Sequence, residues 1–169
     1  MSKKFFLITG GAGFIGSALI RLIFDKTKHG IVNVDKLTYA GNLKSSDSIQ
    51  NKNHNFYAFE KADICDKDAI KRILFQYEPD AIIHLAAASH VDRSIDSPDE
   101  SIYTNIFGTY NLLEQSRAYW MSLNGSKKDE YVYLIDMLVH YQMLYENSSV
   151  KIMHLSDEIN EHAEYNLKR

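Results

Sequence analysis

Cysteine, proline and concentrated charge are all scarce in this chain of 169 residues. The one cysteine, Cys65, excludes a disulfide within the chain. A lone thiol suits a reducing compartment, so the cytoplasm is expected, and Cys65 reads as a packing residue rather than a nucleophile. The net charge is only −3 and no basic cluster occurs, which argues against nucleic-acid binding. No apolar run approaches a membrane span. The stretch after Met1-Ser2-Lys3-Lys4 is too short for a signal segment and is broken by glycines. The seven histidines are scattered, and none pairs with a second ligand at helical or loop spacing, so no metal site is expected. The two prolines mark a helix end at Pro79 and a helix start at Ser97-Pro98. No internal repeat or low-complexity tract is visible.

What is present is concentrated at the start. Leu7-Ile8-Thr9-Gly10-Gly11-Ala12-Gly13-Phe14-Ile15-Gly16-Ser17 reads as a buried strand that breaks into a glycine turn and opens a helix. Gly10, Gly13 and Gly16 fall at three-residue spacing. Gly10 permits the tight turn, Gly13 leaves room for a diphosphate, and Gly16 lets the helix pack closely on the strand. The helix start then offers N–H groups and a positive dipole end to phosphates. A second apolar run, Ile31-Val32-Asn33-Val34, ends in Asp35, about 20 residues past the last glycine. A dinucleotide-binding βαβ unit places its ribose-binding carboxylate there. The competing reading of Asp35 is a solvated loop acid.

Apolar runs and helical patterns alternate, which predicts a doubly wound parallel α/β sheet. Strands are expected at about 4–9, 30–34, 55–59 and 81–85. The first helix covers 14–27, with Ile15, Ala18, Leu19, Leu22 and Ile23 recurring at helical spacing. Asp66 is an N-cap for a helix bearing Ala69, Ile70, Ile73, Leu74 and Tyr77. A long helix follows Pro98, carries Ile102, Ile106, Leu113 and Trp120, and ends near Asn124-Gly125. Beyond Lys127-Lys128-Asp129-Glu130 the pattern changes. Tyr131–Ile135 could be a fifth strand, and 136–146 could equally be an amphipathic helix. The expected division is a partial cofactor domain over 1–130 and a divergent tail over 131–169, mostly helical or poorly ordered.

Several motifs then coincide with a known family. The glycine segment resembles the fingerprint of the extended short-chain dehydrogenase/reductases. More specific are Val34-Asp35-Lys36-Leu37-Thr38-Tyr39-Ala40-Gly41-Asn42-Leu43 and Ala62-Asp63-Ile64-Cys65-Asp66. His84-Leu85-Ala86-Ala87-Ala88-Ser89-His90-Val91-Asp92-Arg93-Ser94 and Thr104-Asn105-Ile106-Phe107-Gly108-Thr109 complete the set. Together they resemble the dTDP-glucose 4,6-dehydratase family, over residues 3 to about 128. The resemblance implies a Rossmann-like sheet with strands one to four in the order 3-2-1-4, and NAD as cofactor. It implies that Gly10, Gly13, Phe14, Ile15 and Gly16 hold the pyrophosphate end, with Phe14 and Ile15 acting through their amides. Asp35, Lys36, Leu37 and Thr38 would line the adenosine ribose, and a carboxylate there favours NAD over NADP. Asp63 and Ile64 would contact adenine. Leu85, Ala86, Ala87 and Ser89 would run beneath ribose and nicotinamide, Ser89 also near the sugar substrate, and Thr104 would complete the site. Asn105 matches a polar helix position of the wider family. Without the resemblance, Ala86–Ala88 read as close packing at a strand end and Thr104 as an ordinary helix residue. The family commonly has an acidic residue where Ala88 stands, which bears on the substrate side of the pocket.

The implied reaction is NAD-dependent dehydration of dTDP-glucose to dTDP-4-keto-6-deoxyglucose, a lyase step in deoxysugar and cell-surface polysaccharide synthesis. The family draws its base from a Tyr-x-x-x-Lys pair and its elimination groups from a Thr-Asp-Glu run after strand five. Tyr57-Ala58-Phe59-Glu60-Lys61 has the spacing but lies on strand three, at the wrong end of the cofactor. Ser156-Asp157-Glu158 only echoes the acid pair. No catalytic residue is therefore assigned. The family's chains are about twice this length and the second, nucleotide-gripping domain is not seen, so a truncated, inactive member is expected. Three functions remain open: a dTDP-glucose 4,6-dehydratase, a catalytically silent NAD-binding module, and a fragment pairing with a full-length relative. The family dimerises through long helices, here within 98–121, so a homodimer is possible.

Overall fold

The computed structural model describes residues 3–38, 56–88, 98–135 and 152–154. Among these described residues six parallel strands form one sheet in the order β3-β2-β1-β4-β5-β6. They are β1 Phe5–Thr9, β2 Gly30–Asp35, β3 Tyr57–Lys61, β4 Ala81–His84, β5 Val132–Ile135 and β6 Ile152–His154. The helices are α1 Phe14–Lys26, α2 Lys67–Tyr77, α3 Pro98–Ile102, α4 Thr109–Ser122 and the short α5 Ser126–Asp129. A π-helical turn, Tyr103–Gly108, joins α3 to α4.

The expected order 3-2-1-4 is present, and the sheet continues past it. Where the tail is described it is strand: β5 pairs with β4, and β6 with β5. The helix considered over 136–146 lies outside the described residues. So does Ser156-Asp157-Glu158.

The strands form because both faces are covered, which demands near-continuous apolar runs. Side chains alternate between faces, so neighbours in one strand serve two cores. Leu7 of β1 joins Val32, Val34, Ile70, Ile73, Leu74, Ile82 and Leu112 on the α2–α4 face. Ile8 joins Ile20, Ile31, Tyr57 and Ile83 on the α1 face. Asp66 caps α2 as expected: its carboxylate accepts from the amides of Asp68 at 3.1 Å and Ala69 at 3.0 Å. The helix closes on Glu78 in the left-handed region, just before Pro79.

Two helices differ from the sequence reading. In α1 the buried residues are Gly16, Ser17 and Ile20, while Ile15 and Leu22 are exposed. Close approach at Gly16 sets the rotation of the helix and turns the row expected inward partly outward. After Pro98 the run is not one α-helix. The π turn inserts a residue relative to α-helical spacing, about 100° of rotation. Leu112, Leu113 and Tyr119 consequently face the core, whereas Ile102 and Ile106 face out.

Candidate functional site

Because all strands are parallel, the exits of β1 to β4 share one edge. The crevice between β1 and β4, where the strand order reverses, is the general ligand position in such sheets. The glycine turn lies there. Gly10 has φ +70°, and a Cβ on it would sit 2.7 Å from Ala86 N and 2.8 Å from Ala86 Cα. A Cβ on Gly16 would come within 2.7 Å of Gly11 Cα, so helix and turn are in backbone contact. Gly13 differs from both: a Cβ there meets only Gly10 O, at 3.2 Å. Its outward side is open. Gly13 is also the N-cap of α1 and has no side chain to engage the first-turn amides. Phe14 is 93% exposed and Ile15 60%, so backbone and solvent, not side chains, cover this helix start.

Asp35 ties the turn to β2. Its Oδ2 accepts from Ala12 N at 2.9 Å, and its Oδ1 from Leu37 N at 2.8 Å. Leu37 takes a left-handed φ of 57°, uncommon for a leucine, and the Asp35 bond holds it there. Lys36 and Thr38 are exposed beside it. Lys36 Nζ pairs with Asp63 Oδ2 at 2.7 Å, closing the rim between the β2 and β3 exits. Partial burial penalises the Asp63 charge, but the Lys36 ammonium and the Cys65 amide outweigh it and hold the carboxyl below its ordinary range. The same hydrogen bond raises the Lys36 ammonium.

Ile64 is placed differently from an adenine-facing side chain. It is buried, with Gly108 directly over it, and Asn111 Nδ2 donates to its carbonyl at 2.7 Å. Any ligand contact from Ile64 is therefore through backbone. Next to it, the Cys65 thiol donates to Tyr103 O at 3.3 Å, and burial followed by the Asp63 charge pushes it up to about 11. It stays a thiol at neutral pH, as a packing residue would.

The β4 exit forms the other wall. Leu85 and Ala86 are half-buried and Ala87 is exposed. Asn105, on the π turn, reaches this exit with both ends of its amide: it donates to Ala88 O at 3.0 Å and accepts from Ala88 N at 2.8 Å. Thr104 sits half-buried beside it in the same turn. Ser89 lies outside the described residues. Thus the glycine turn, Asp35 to Thr38, Asp63, Leu85 to Ala87 and Thr104 all belong to the same edge of the sheet.

Tyr57 and Lys61 do not form a pair. They stand at opposite ends of β3, about 13 Å apart along an extended strand, and Tyr57 OH accepts instead from Asn33 Nδ2 at 3.0 Å.

Three residues with work at this edge escape sequence reasoning. A Cβ on Gly11 would run into the Asn33 amide and lie 2.6 Å from Ile20 Cδ1, so this glycine is as constrained as its neighbours. Thr9 and His84, polar residues ending two apolar strands, are fully buried against one another. A hydroxyl and an imidazole at equivalent strand ends were the available signal.

Comparison with known proteins gives a consistent set. The family described as GDP-mannose 4,6 dehydratase matches residues 7–135. A dTDP-glucose 4,6-dehydratase from Shigella flexneri is 58% identical over 125 residues, covering 74% of this chain and 34% of that protein. One from Neisseria gonorrhoeae is 54% identical over 129 residues, covering 76% and 37%. Among solved structures, a dTDP-glucose 4,6-dehydratase of Streptomyces venezuelae with NAD bound superposes with a TM-score of 0.64 at 32% identity, covering 77% of this chain and 38% of that one. The UDP-glucose 4-epimerase of Thermotoga maritima with UDP-glucose gives 0.62 at 29% identity, covering 78% and 37%. The chain spans about a third of the length of the curated relatives it matches.

Proposed function

The chain belongs to the GDP-mannose 4,6 dehydratase family, and from that premise we propose that its sheet edge binds NAD for dehydration of dTDP-glucose. The observation that carries this is the Asp35 carboxylate, fixed to the glycine turn through Ala12 N and standing at the rim beside an uncovered helix start. A carboxylate held there suits ribose hydroxyls and repels a 2′-phosphate. The open side of Gly13 leaves space for a diphosphate at the first-turn amides of Phe14 and Ile15. When bound, NAD supplies a hydride acceptor. This chain's residues bind and orient it: Gly10, Gly13 and Gly16 shape the cradle, Asp35 to Thr38 and Asp63 line one end, and Leu85, Ala86, Ala87, Ser89 and Thr104 line the other.

Substrate and dehydratase activity rest on the relatives. Dehydratases 54–58% identical to this chain support dTDP-glucose as the substrate of the complete enzyme. The one Tyr-x-x-x-Lys spacing read from the sequence, Tyr57 to Lys61, spans β3 instead of facing the cleft, and we take NAD binding without turnover as the reading for this chain alone. The lone, half-buried Cys65 supports a cytoplasmic setting.

An NAD titration by calorimetry tests the reading. Saturable one-to-one binding is expected, with NADP at least tenfold weaker and Asp35→Ala reducing NAD affinity at least tenfold. Equal affinity for NAD and NADP would remove Asp35 from its proposed role, and no heat at all would sink the NAD site. Incubation with dTDP-glucose and NAD should give no keto-sugar; steady product would reject the silent reading.

The exposed row Ile102, Tyr103, Ile106, Phe107 and Tyr110 supports a homodimer through 98–121. Sedimentation should show a dimer that Phe107→Glu converts to monomer. A wild-type monomer at high micromolar concentration would reject it.

A further inference from the structure

Beneath the cleft, Thr9, His84 and Thr109 form a buried row that none of the roles above uses. Thr9 and His84 are 0% exposed and Thr109 is 2% exposed. Thr9 ends β1, His84 ends β4, and Thr109 opens α4. Thr9 Oγ1 stands 2.6 Å from His84 Nδ1, and His84 Nε2 stands 2.9 Å from Thr109 Oγ1. The same Thr9 Oγ1 accepts from Leu85 N at 3.2 Å and Ala86 N at 3.3 Å, the Leu85 amide being shared with Thr9 O at 3.1 Å.

These contacts favour one arrangement of the Thr9 and His84 protons. A hydroxyl has one hydrogen and two lone pairs. Two amides occupy the acceptor side of Thr9 Oγ1, so its hydrogen goes to His84 Nδ1. A neutral ring with Nδ1 unprotonated carries its hydrogen on Nε2, which donates to Thr109 Oγ1. The opposite tautomer would aim a third donor at Thr9 Oγ1 and leave Nε2 as the acceptor.

We propose that His84 is a positioning residue for the cofactor cleft: held as the Nε2–H tautomer, it orients the Thr9 hydroxyl so that the Leu85 and Ala86 amides lock the β4 exit in its binding shape. The ring acts only through Thr9. The effect on binding rests on the NAD reading above, whereas the proton arrangement stands without it.

Three variants separate the two ends of the row. Asparagine can place its carbonyl near the Nδ1 position and accept from Thr9, so His84→Asn keeps the cleft end. Glutamine can place its amide near the Nε2 position and donate to Thr109, so His84→Gln keeps only the far end. Thr9→Val keeps shape and removes the acceptor. Ring-nitrogen NMR of the wild-type chain should report the Nε2–H tautomer at pH 7. Amide exchange at Ala86 should speed at least tenfold in Thr9→Val and His84→Gln, and less at Leu85, whose bond to the residue-9 carbonyl survives, while both stay within about threefold of wild type in His84→Asn. NAD affinity should follow the same order. An Nδ1–H tautomer overturns the proposal, and so does unchanged exchange at both amides in Thr9→Val. Exchange that speeds while NAD affinity holds overturns the positioning role. If the amides respond as stated but no form binds NAD, wild type included, the row stands and the NAD reading falls. Should His84→Gln not fold, the wild-type tautomer and Thr9→Val decide.

Discussion

Gly10→Ala is expected to abolish measurable NAD binding and to lower stability by about 2–4 kcal/mol, combining a left-handed backbone cost near 1 kcal/mol with overpacking of 1–3 kcal/mol. Both parts arise at one atom. The new Cβ would sit on a residue with φ +70° and press on Ala86 N and Cα, which are backbone and cannot rotate away. Either the turn or the β4 exit must shift, and the proposed cleft lies between them. Gly125 supplies the control, because it has φ +60° with nothing within 4 Å of a Cβ. At φ +60° and ψ −149°, a region nearly confined to glycine, Gly125→Ala should show a backbone cost alone, about 1–3 kcal/mol, and leave NAD binding intact. Urea midpoints give the stability losses of both variants, and an NAD titration separates them. Undiminished NAD binding in Gly10→Ala would mean that contact with Ala86 does not shape the cleft.

Acidification from pH 7 to pH 4 is expected to remove about 3 kcal/mol through His84 alone, since burial lowers this imidazole from 6.5 to about 4. Between those values the unfolded chain takes up a proton that the folded chain refuses. The contribution is thus fully present above pH 6.5, declines as pH falls through the window, and levels off below pH 4. Asp63 and Glu60 respond lower down. The charge of each is favoured in the fold, Glu60 chiefly by its hydrogen bond from Arg72 despite partial burial, so their contributions fade only below the ordinary carboxylate range. Urea midpoints for wild type and His84→Asn at intervals between pH 7 and pH 4.5 isolate the histidine. The wild-type curve should fall toward that of the variant as pH drops. Parallel curves would show that His84 is not the group responsible.

The central strands were legible because burial on both faces demands near-continuous apolar residues, and Phe5–Thr9, Gly30–Asp35 and Ala81–His84 come close to that, broken only by Asn33 and by the polar residues at their ends. The glycine spacing and Asp35 were legible for a similar reason: each needs a particular residue type at a particular distance. What escaped depends on contacts rather than composition. The rotation of α1 follows from Gly16 touching Gly11, and no periodicity of apolar residues records that. The π turn leaves the composition of 98–122 helical while changing which side faces inward. At the cleft, the grip of Asp35 on the turn uses the Ala12 amide, a backbone donor that every residue but proline offers. His84 was quoted as part of a motif, yet a single buried imidazole inside an apolar run has no pattern of its own. Its partners are far away in sequence, 75 residues for Thr9 and 25 for Thr109.

That separation has a bearing on synthesis. β1 leaves the ribosome well before β4, yet it ends up inside the sheet, between β2 and β4. Its pairing with β2 closes one side early, when Phe5 meets Gly30. The other side must wait for Ala81–His84. At roughly 5–20 residues per second, the 75 residues between Thr9 and His84 take on the order of 4–15 s to emerge. Throughout that interval Phe6 to Thr9 present an open row of peptide groups on the nascent chain, a period in which a holdase or a neighbouring polysome could reach them before β4 does.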